Sequence, residues 1–459
     1  MNRTTRREFL KLLGGAGAGL IAGPALSAAD AIFANAAEDY KIATRGGFVR
    51  FKEPGLLQVR ATSLSPSFKI MPGKSSPERI RFELINVRAG QLQIDCEQLK
   101  NINKTDTRIE AELLLDGPGN IILSSSYAPL PGERLNFITF SDTHLGDPEA
   151  EEHFARVRNH TNLRAPLFAI DAGDNIDVDE QKQWDVFVER TAELKMPLFS
   201  TIGNHDSYLD TKLYKKHLGD LYYSFIIHDT QFLLLDNAQK YNNATLTMDG
   251  SKPQAQWNWL DGELKKPAKH RVAFFHFPVY GKRSMMDPMY IPRTSFEVRE
   301  QEVERMMTMF KESGVEYICH GHIHSPERKV IDGITHLRLG GGGGSRPSHT
   351  NDSAVGFAHI FVDNKGIRDY TIHMYYEKSE IEKIEFCEPR NTIPAGSQEP
   401  IIVNGIAKDA RLLGIEPELK ITSGPGKLNG WILDADKPGT TRIAATYEGF
   451  RIEQQIQIT

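Results

Sequence analysis

The sequence has few cysteines, no long apolar run after its N-terminal segment, and no excess of positive charge. Its three cysteines are odd in number and widely spaced among 459 residues, a pattern that predicts no disulfide framework. No later run approaches the ~18 apolar residues of a membrane-spanning helix. The formal charge of -5 argues against nucleic acid as the main partner. The composition is that of a soluble, folded, multidomain protein.

The N-terminal segment is the one part of the chain with a targeting pattern. "TRREFLK" (5–11) precedes a Gly/Ala-rich apolar run, and Ala34–Ala36 offers small residues for cleavage. This stretch resembles a twin-arginine export signal. We therefore expect residues 1–36 to engage the twin-arginine export machinery. The mature chain would be periplasmic or otherwise exported and would have no membrane span. An uncleaved anchor and the basic start of an ordinary helix are the alternatives.

Three further regions follow the signal. Residues 37–130 alternate apolar and polar side chains and predict an all-β domain. Residues 131–386 alternate apolar strands with helical stretches at about 150–163, 180–194, 253–266 and 296–313, which predicts an α/β domain. Residues 387–459 read as a linker and an immunoglobulin-like β domain.

Polar side chains crowd the carboxyl ends of the strands predicted in the α/β region. In open α/β sheets this edge is where ligands bind. The motifs are "SDTHLG", "GD", "GNHD", "HFP" and "GHIH", in that order. They supply nine candidate site residues: Asp142, His144, Asp174, Asn204, His205, Asp206, His276, His322 and His324.

These motifs resemble those of the calcineurin-like metallophosphoesterase superfamily over residues 135–376. The resemblance implies a four-layer α-β-β-α sandwich and two metal ions. It places the first ion on Asp142, His144, Asp174 and His324, and the second on Asp174, Asn204, His276 and His322, so that Asp174 bridges them. It also implies that a metal-bridging hydroxide attacks the phosphorus. His205 would act as the acid or stabilise the transition state, and Asp206 would orient His205.

The donor chemistry agrees with this interpretation. Mixed carboxylate, amide and imidazole ligands suit divalent or mixed-valence Fe, Mn, Zn or Co. A shared carboxylate is how two cations are held about 3.5–4 Å apart. The purple acid phosphatases use a tyrosine after "GD", and "GDNID" has none, so the sequence does not favour that branch.

Several residues near the motifs receive a structural interpretation. His320 matches no family ligand, and we expect it to be structural. The glycine run at 340–344 is expected to let a loop pass close to the site. Lys282 and Arg283 follow "HFPVYG" and are interpreted as a solvated loop, with substrate phosphate contact as the alternative.

The sequence thus predicts an enzyme: an exported, metal-dependent phosphoric ester hydrolase acting on small phosphomonoesters or phosphodiesters. Two alternatives remain open at this stage. One is an extracytoplasmic nuclease or nucleotide pyrophosphatase, which a basic groove beside the metals would support. The other is an envelope-surface binding protein whose phosphoesterase site is idle.

Overall fold

The structure is a computed structural model. It describes residues 32–34, 40–53, 55–116, 119–208, 210–238, 254–279, 293–344 and 355–459, with side chains described from residue 40 onward except in 293–300. Nearly all of the expected export signal, residues 1–31, lies outside the described residues, and so do Lys282 and Arg283.

The N-terminal region is entirely β among its described residues, as the alternation of apolar and polar residues predicts. Its strands are β1 Ile32–Ala34, β2 Tyr40–Arg45, β3 Gly47–Glu53, β4 Leu56–Ala61, β5 Ser67–Pro72, β6 Arg79–Ile85, β7 Leu92–Asp95, β8 Leu99–Lys104, β9 Arg108–Leu114 and β10 Ile121–Tyr127. They form two five-stranded sheets, β1-β2-β5-β10-β7 and β3-β4-β6-β9-β8. One hydrophobic cluster, which includes Ile42, Val59, Phe68 and Phe82, joins the two sheets.

The central region begins with three neighbouring parallel strands. The elements are β11 Leu135–Phe140, α1 Pro148–Arg164, β12 Phe168–Asp171, α2 Gln181–Thr191, β13 Leu198–Ser200 and α3 Lys212–His217. Each of the two predicted helices in this stretch lies within a few residues of its expected bounds. Asp147 begins α1 by accepting a hydrogen bond from the Ala150 N–H, and Pro148 occupies the first turn.

A second sheet follows in the chain. Its elements are β14 Tyr223–Ile227, β15 Thr230–Leu234, α4 Gln254–Leu264, β16 His270–Phe274, α5 Arg293–Glu312, β17 Tyr317–His320, β18 Glu327–Ile331 and β19 Ile334–Arg338. The strand order is β14-β15-β16-β17-β19-β18, and β15, β16, β17 and β19 are parallel neighbours. The two other predicted helices are α4 and α5.

Hydrophobic contacts place the two central sheets against each other. Phe137 and Phe168 from the first sheet share a cluster with Phe232 and Phe274 from the second. The Phe137 and Phe168 rings stack at 5.3 Å. On the opposite side of the first sheet, α1 and α2 pack through residues such as Trp184. On the opposite side of the second sheet, α4 and α5 pack in a third cluster.

The C-terminal part completes the first central sheet before it forms smaller sheets. Its strands are β20 Gly356–Asp363, β21 Gly366–His373, β22 Ile381–Phe386, β23 Thr392–Ile393, β24 Ser397–Pro400, β25 Val403–Ala407, β26 Leu412–Leu413, β27 Glu418–Ser423, β28 Lys427–Asn429, β29 Ile432–Ala435, β30 Gly439–Tyr447 and β31 Phe450–Ile458. The first central sheet has the order β13-β12-β11-β20-β21-β26-β25-β22. The expected boundary at residue 387 therefore falls between strands of one sheet.

The remaining C-terminal strands form a four-stranded sheet, β23-β31-β30-β27, and a three-stranded sheet, β24-β29-β28. A shared cluster that includes Ile393, Leu433, Ile443 and Ile456 packs them together. This region is β-rich, as expected, and its immunoglobulin-like character stays a prediction. The three cysteines are free thiols, in agreement with the expected absence of a disulfide framework. In the described part of the chain, no helix is long and apolar enough to cross a membrane.

The buried Asn86 side chain links the N-terminal region to the first central sheet through hydrogen bonds. The Asn86 side chain accepts a hydrogen bond from the Leu198 N–H at 2.7 Å and donates to the carbonyl groups of Leu198 and Ala61 at 3.0 and 2.9 Å. Its backbone is left-handed, with φ of 65°. Leu198 begins β13, the strand that leads to "GNHD". The N-terminal region thus supports a strand that carries candidate site residues.

We expect Asn86→Ala to lower the free energy of unfolding by about 3 kcal/mol, because it leaves buried backbone groups without partners. Thermal or denaturant unfolding measures the change. Asn101→Ala is the matched control: the φ of Asn101 is also left-handed, at 52°, but its side chain is exposed and donates a hydrogen bond to Glu112 on the surface. Equal losses in the two variants would contradict a fastening role for Asn86.

Candidate metal centre

The candidate site lies where the carboxyl ends of strands from both central sheets meet. Asp142 and His144 follow β11, Asp174 follows β12, and Asn204 and His205 follow β13. On the second sheet, His276 follows β16, and His322 and His324 follow β17. Strands β11, β12 and β13 are parallel neighbours in the first sheet, and β16 and β17 are parallel neighbours in the second. Each sheet therefore delivers its polar loops to one edge, and the two edges face each other.

Asp142, His144 and His324 form the first group of donor atoms, all within 4.8 Å of one another. The His324 Nε2 atom lies 3.2 Å from Asp142 Oδ1 and 3.3 Å from His144 Nε2. Two imidazole nitrogens and a carboxylate oxygen this close can share one cation.

Asp174, His276 and His322 form the second group of donor atoms, again within 4.8 Å. His276 Nε2 lies 3.1 Å from Asp174 Oδ2 and 3.1 Å from Asn204 Oδ1. The same Asp174 Oδ2 atom is 3.8 Å from His144 Nε2 of the first group. Asp174 therefore lies between the two groups. All seven residues that the sequence nominates as metal ligands come together here.

The backbone at the site is held in an uncommon conformation. Five candidate ligands have φ between 44° and 72°, the left-handed region that residues with a side chain rarely adopt: Asp142, His144, Asp174, His322 and His324. Such strain persists only where surrounding structure imposes it, and it is typical of functional sites.

Glycines allow the site loops to approach closely. A Cβ atom on Gly321 would lie 2.5 Å from Asp142 Oδ2, and one on Gly344 would lie 2.6 Å from the His144 ring and 2.9 Å from the His324 ring. Gly344 ends the glycine run at 340–344. The expectation that this run lets a loop pass close to the site is confirmed.

The electrostatic field at the site favours positive charge. Burial opposes ionisation of Asp142 and Asp174, but the neighbouring imidazoles outweigh burial and hold the pKa of both carboxyl groups below the ordinary range. Burial also disfavours the imidazolium form of His276, yet Asp174 and Asp142 raise its pKa to about 9. Two buried carboxylates thus create a negative potential that favours a positive charge beside them, either a proton on His276 or a metal cation.

His205 lies beside this centre rather than within either ligand group named above. Its Nε2 atom is 4.0 Å from Asp174 Oδ2, and its Nδ1 atom lies 2.6 Å from the backbone carbonyl of Asp177. That carbonyl accepts from Nδ1–H, which leaves Nε2 directed toward the centre as the atom that can exchange a proton. The ring also meets the Tyr208 ring edge-to-face, with centroids 5.0 Å apart.

The expectation that Asp206 orients the His205 imidazole is wrong. The Asp206 carboxylate instead accepts hydrogen bonds from five donors at 2.8 to 3.2 Å, four of them backbone N–H groups. The donors are the N–H groups of Asp174, Asn175, Ile176 and Gly203 and the Asn175 side chain. Asp206 therefore fixes the loop that carries Asp174. The 3-10 turn His205–Ser207 directs neighbouring side chains differently, so adjacency in sequence does not place Asp206 against the His205 ring.

Sequence reasoning missed Asp177 as a site residue. Its carboxylate lies 3.4 Å from His144 Nδ1 and 3.9 Å from His205 Nδ1. The hydrogen bond with His144 is the largest cause that lowers the pKa of Asp177. Asp177 is the last residue of "GDNID", three residues after Asp174. Its closeness in sequence to a predicted metal ligand could have identified it as a site residue.

The other histidines have structural surroundings. His320 is buried, and its ring lies 6.4 Å from the Phe275 ring and 6.3 Å from the His336 ring, consistent with the expected structural role. The His270 ring bonds to Glu316 at 2.8 Å, and the His217 ring stacks on Trp184. His153 lies 3.1 Å from the Gly343 carbonyl.

Comparison with known proteins agrees with this site. The family described as calcineurin-like phosphoesterase matches residues 135–326, which include all nine candidate residues. Those residues therefore carry a calcineurin-like phosphoesterase domain, and this class suggests a metal-dependent phosphoester hydrolase. No curated protein matches the chain.

Solved structures are similar to the chain at low identity. GAP50, the anchor in the inner membrane complex of Plasmodium, is 17% identical, with 52% of this chain and 84% of that chain covered and a TM-score of 0.39. The purple acid phosphatase PPD1 from yellow lupin is 12% identical, with coverages of 67% and 77% and a TM-score of 0.41. The phosphopantetheinyl hydrolase of Mycobacterium tuberculosis is 13% identical, with coverages of 46% and 90% and a TM-score of 0.30.

Proposed function

We propose that this protein hydrolyses small phosphomonoesters or phosphodiesters at a two-metal centre. The convergence of seven donor side chains from two sheets, with Asp174 between the two groups, is the observation that carries the proposal. The first ion would be held by Asp142, His144, Asp174 and His324. The second would be held by Asp174, Asn204, His276 and His322. Mixed oxygen and nitrogen donors fit Fe, Mn, Zn or Co.

The residues around the centre have distinct tasks in this proposal. When bound, the two ions supply an activated water nucleophile and neutralise charge on the phosphoryl oxygens. Asp174 joins the two ligand groups. His205, whose Nε2 faces the centre, donates a proton to the leaving oxygen or stabilises the transition state. Asp206 keeps the Asp174 loop rigid through its backbone hydrogen bonds.

The wider setting also belongs to the proposal. The paired arginines and the apolar run of residues 1–36 support export by the twin-arginine route, which carries folded proteins. The clusters on both sides of each central sheet support the four-layer arrangement. The two small C-terminal sheets with their common core support the immunoglobulin-like interpretation.

Hydrolysis of a chromogenic phosphodiester and its matching monoester tests the function. The protein is loaded with Mn, Fe, Zn or Co in turn, and metal content is measured in parallel. We expect about two ions per chain and turnover of at least one ester. A folded protein that binds no metal and hydrolyses neither ester would contradict the proposal.

Asp177 gives a further prediction for the same assay. Asp177→Asn removes the carboxylate charge 3.4 Å from His144 Nδ1 but keeps the backbone carbonyl that bonds to His205. We expect metal affinity or turnover to fall by roughly 10–100-fold, as is usual for groups that orient metal ligands. Asp185→Asn, an exposed substitution on α2, serves as the control. Unchanged metal affinity and unchanged turnover in Asp177→Asn would show that the Asp177 carboxylate does not position the His144 ring.

A further inference from the structure

The buried face of α1 changes character along the helix. Near its start the helix buries Ala150, Phe154 and Val157. Near its end the buried residues are polar: His160, Thr161 and Arg164, which are 2%, 0% and 0% exposed. This polar end of α1 packs on β20 and on residues of the C-terminal part. The metal centre lies near the opposite, N-terminal end of α1.

Arg164 is a fully buried cation without a carboxylate partner. The titratable acid that acts on it is the Cys387 thiol, whose own pKa burial raises to about 11. Its Nη2 donates to Asn404 Oδ1 at 2.5 Å, and the guanidinium lies 5.3 Å from the centre of the Phe357 ring. Among the described residues no carboxylate approaches it within 4.0 Å, and its Nε and Nη1 groups have no hydrogen-bond partner. The carbonyl groups that end α1 offset only part of its charge.

Two other arginines of low exposure, one buried and one half-buried, pair with acidic side chains. Arg158, on the same helix, pairs with Glu193 at 2.9 Å, and Arg134 pairs with Glu399 at 2.8 Å. An ion transferred from water into a protein interior costs several kcal/mol unless another charge compensates it. Burial accordingly lowers the pKa of Arg164 to about 10, which still leaves the group charged at neutral pH.

Two more residues at this end of α1 have buried polar atoms without hydrogen-bond partners among the described residues. The His160 ring lies 6.4 Å from Phe357 and 5.7 Å from Trp431, and neither of its nitrogens has a hydrogen-bond partner in the part of the chain that the structure describes. The Thr161 hydroxyl has none either. His160 and Thr161 lie one turn before Arg164, so all three side chains lie on the same face of α1.

We propose that this place, the Arg164 pocket, binds one small monovalent anion of about the size of chloride. The name Arg164 pocket stands for the side chains of His160, Thr161, Arg164, Phe357 and Asn404, and room for the ion among them is part of the proposal. Arg164 offers two N–H groups, Thr161 a hydroxyl, and His160 one ring N–H. A water molecule would satisfy hydrogen bonds there but would leave the charge uncompensated. Large aromatic walls on two sides favour a small ion over a phosphate.

The location gives the anion a structural task. Arg164 belongs to α1 of the central region, whereas Asn404 lies in β25 and Trp431 precedes β29 in the C-terminal part. An ion that compensates Arg164 therefore strengthens the junction between α1 and the C-terminal strands. Binding to the folded state alone raises stability in proportion to the logarithm of the free anion concentration.

Thermal unfolding in chloride against gluconate, at constant ionic strength and pH, tests the proposal on the full protein. We expect Tm to rise by roughly 2 °C for each tenfold increase in chloride above its dissociation constant. Arg164→Met should abolish this dependence and Arg164→Lys should retain part of it. Arg158→Met, which breaks a paired arginine on the same helix, should keep the full dependence.

If Arg164→Met fails to fold, anomalous diffraction from the unaltered protein can locate the anion directly. Crystals of the unaltered protein grown in bromide should give an anomalous peak within hydrogen-bond distance of the Arg164 guanidinium. A Tm that is independent of chloride, or a bromide crystal without a peak at Arg164, would overturn the proposal and leave ordered water as the occupant.

Discussion

Replacing Asp174 with asparagine is expected to remove metal binding and to lower turnover by on the order of 10³-fold or more. The Asp174 carboxylate lies between the two groups, at 3.1 Å from His276 and 3.8 Å from His144. Two cations held close together repel strongly unless an anion lies between them. An amide has the shape of the carboxylate but not its charge, so the loss would be electrostatic.

Asp171→Asn is the matched control for Asp174→Asn. Asp171 ends β12, three residues earlier, and is equally buried. Burial and the charges of Asp206 and Asp142 raise the pKa of Asp171 well above the ordinary value, which disfavours the ionised form and makes an amide a close substitute. Metal per chain, turnover and circular dichroism are measured for both variants. An Asp174→Asn protein that keeps two ions and its turnover would contradict a bridging role.

The strand ends that carry the candidate ligands could be predicted from the sequence. Parallel strands deliver their carboxyl ends to one edge of a sheet, so "SDTHLG", "GD" and "GNHD" must meet if their apolar runs pair as neighbours. "HFP" and "GHIH" follow by the same argument on the second sheet. The apolar runs are long enough and the helices between them regular enough to fix those elements.

Side-chain partners inside the loops could not be predicted in the same way. Asp206 adjoins His205 in sequence, but its carboxylate points to the backbone of residues 174–176 and Gly203, which only the folded loops bring together. Asp177 reaches His144 across two different loops. Hydrophobic periodicity and residue propensity predict helices and strands. These side-chain contacts depend instead on left-handed backbone conformations at individual loop residues.

The extension of the first central sheet was also beyond sequence reasoning. The linker-like composition of 387–400 suggested that the central region ends there. In the structure, β25 and β26 return to pair with β22 and β21, so the chain leaves the sheet and comes back. Pairing between strands that are distant in sequence depends on which sheet edge still lacks a neighbouring strand after the local strands and helices have formed. No local sequence pattern predicts that pairing.

His205→Ala is expected to separate proton transfer from metal binding. His205 belongs to neither proposed ligand set, and its Nδ1 bonds to the Asp177 carbonyl, so the variant should retain both ions. Loss of a positioned acid costs typically 10²–10⁴-fold when the leaving oxygen is strongly basic. The loss should shrink toward unity for esters whose leaving group departs without a proton.

A series of aryl and alkyl phosphate esters measures this effect. We expect a steeper dependence of kcat on leaving-group pKa in His205→Ala than in the unaltered protein, with equal metal content in the two. His228→Ala, an exposed substitution, should change neither quantity. A loss of the same size for every ester would assign His205 to general stabilisation of the phosphoryl charge instead of proton donation. Loss of the metals themselves would make His205 a ligand, because a proton donor can be removed without emptying the centre.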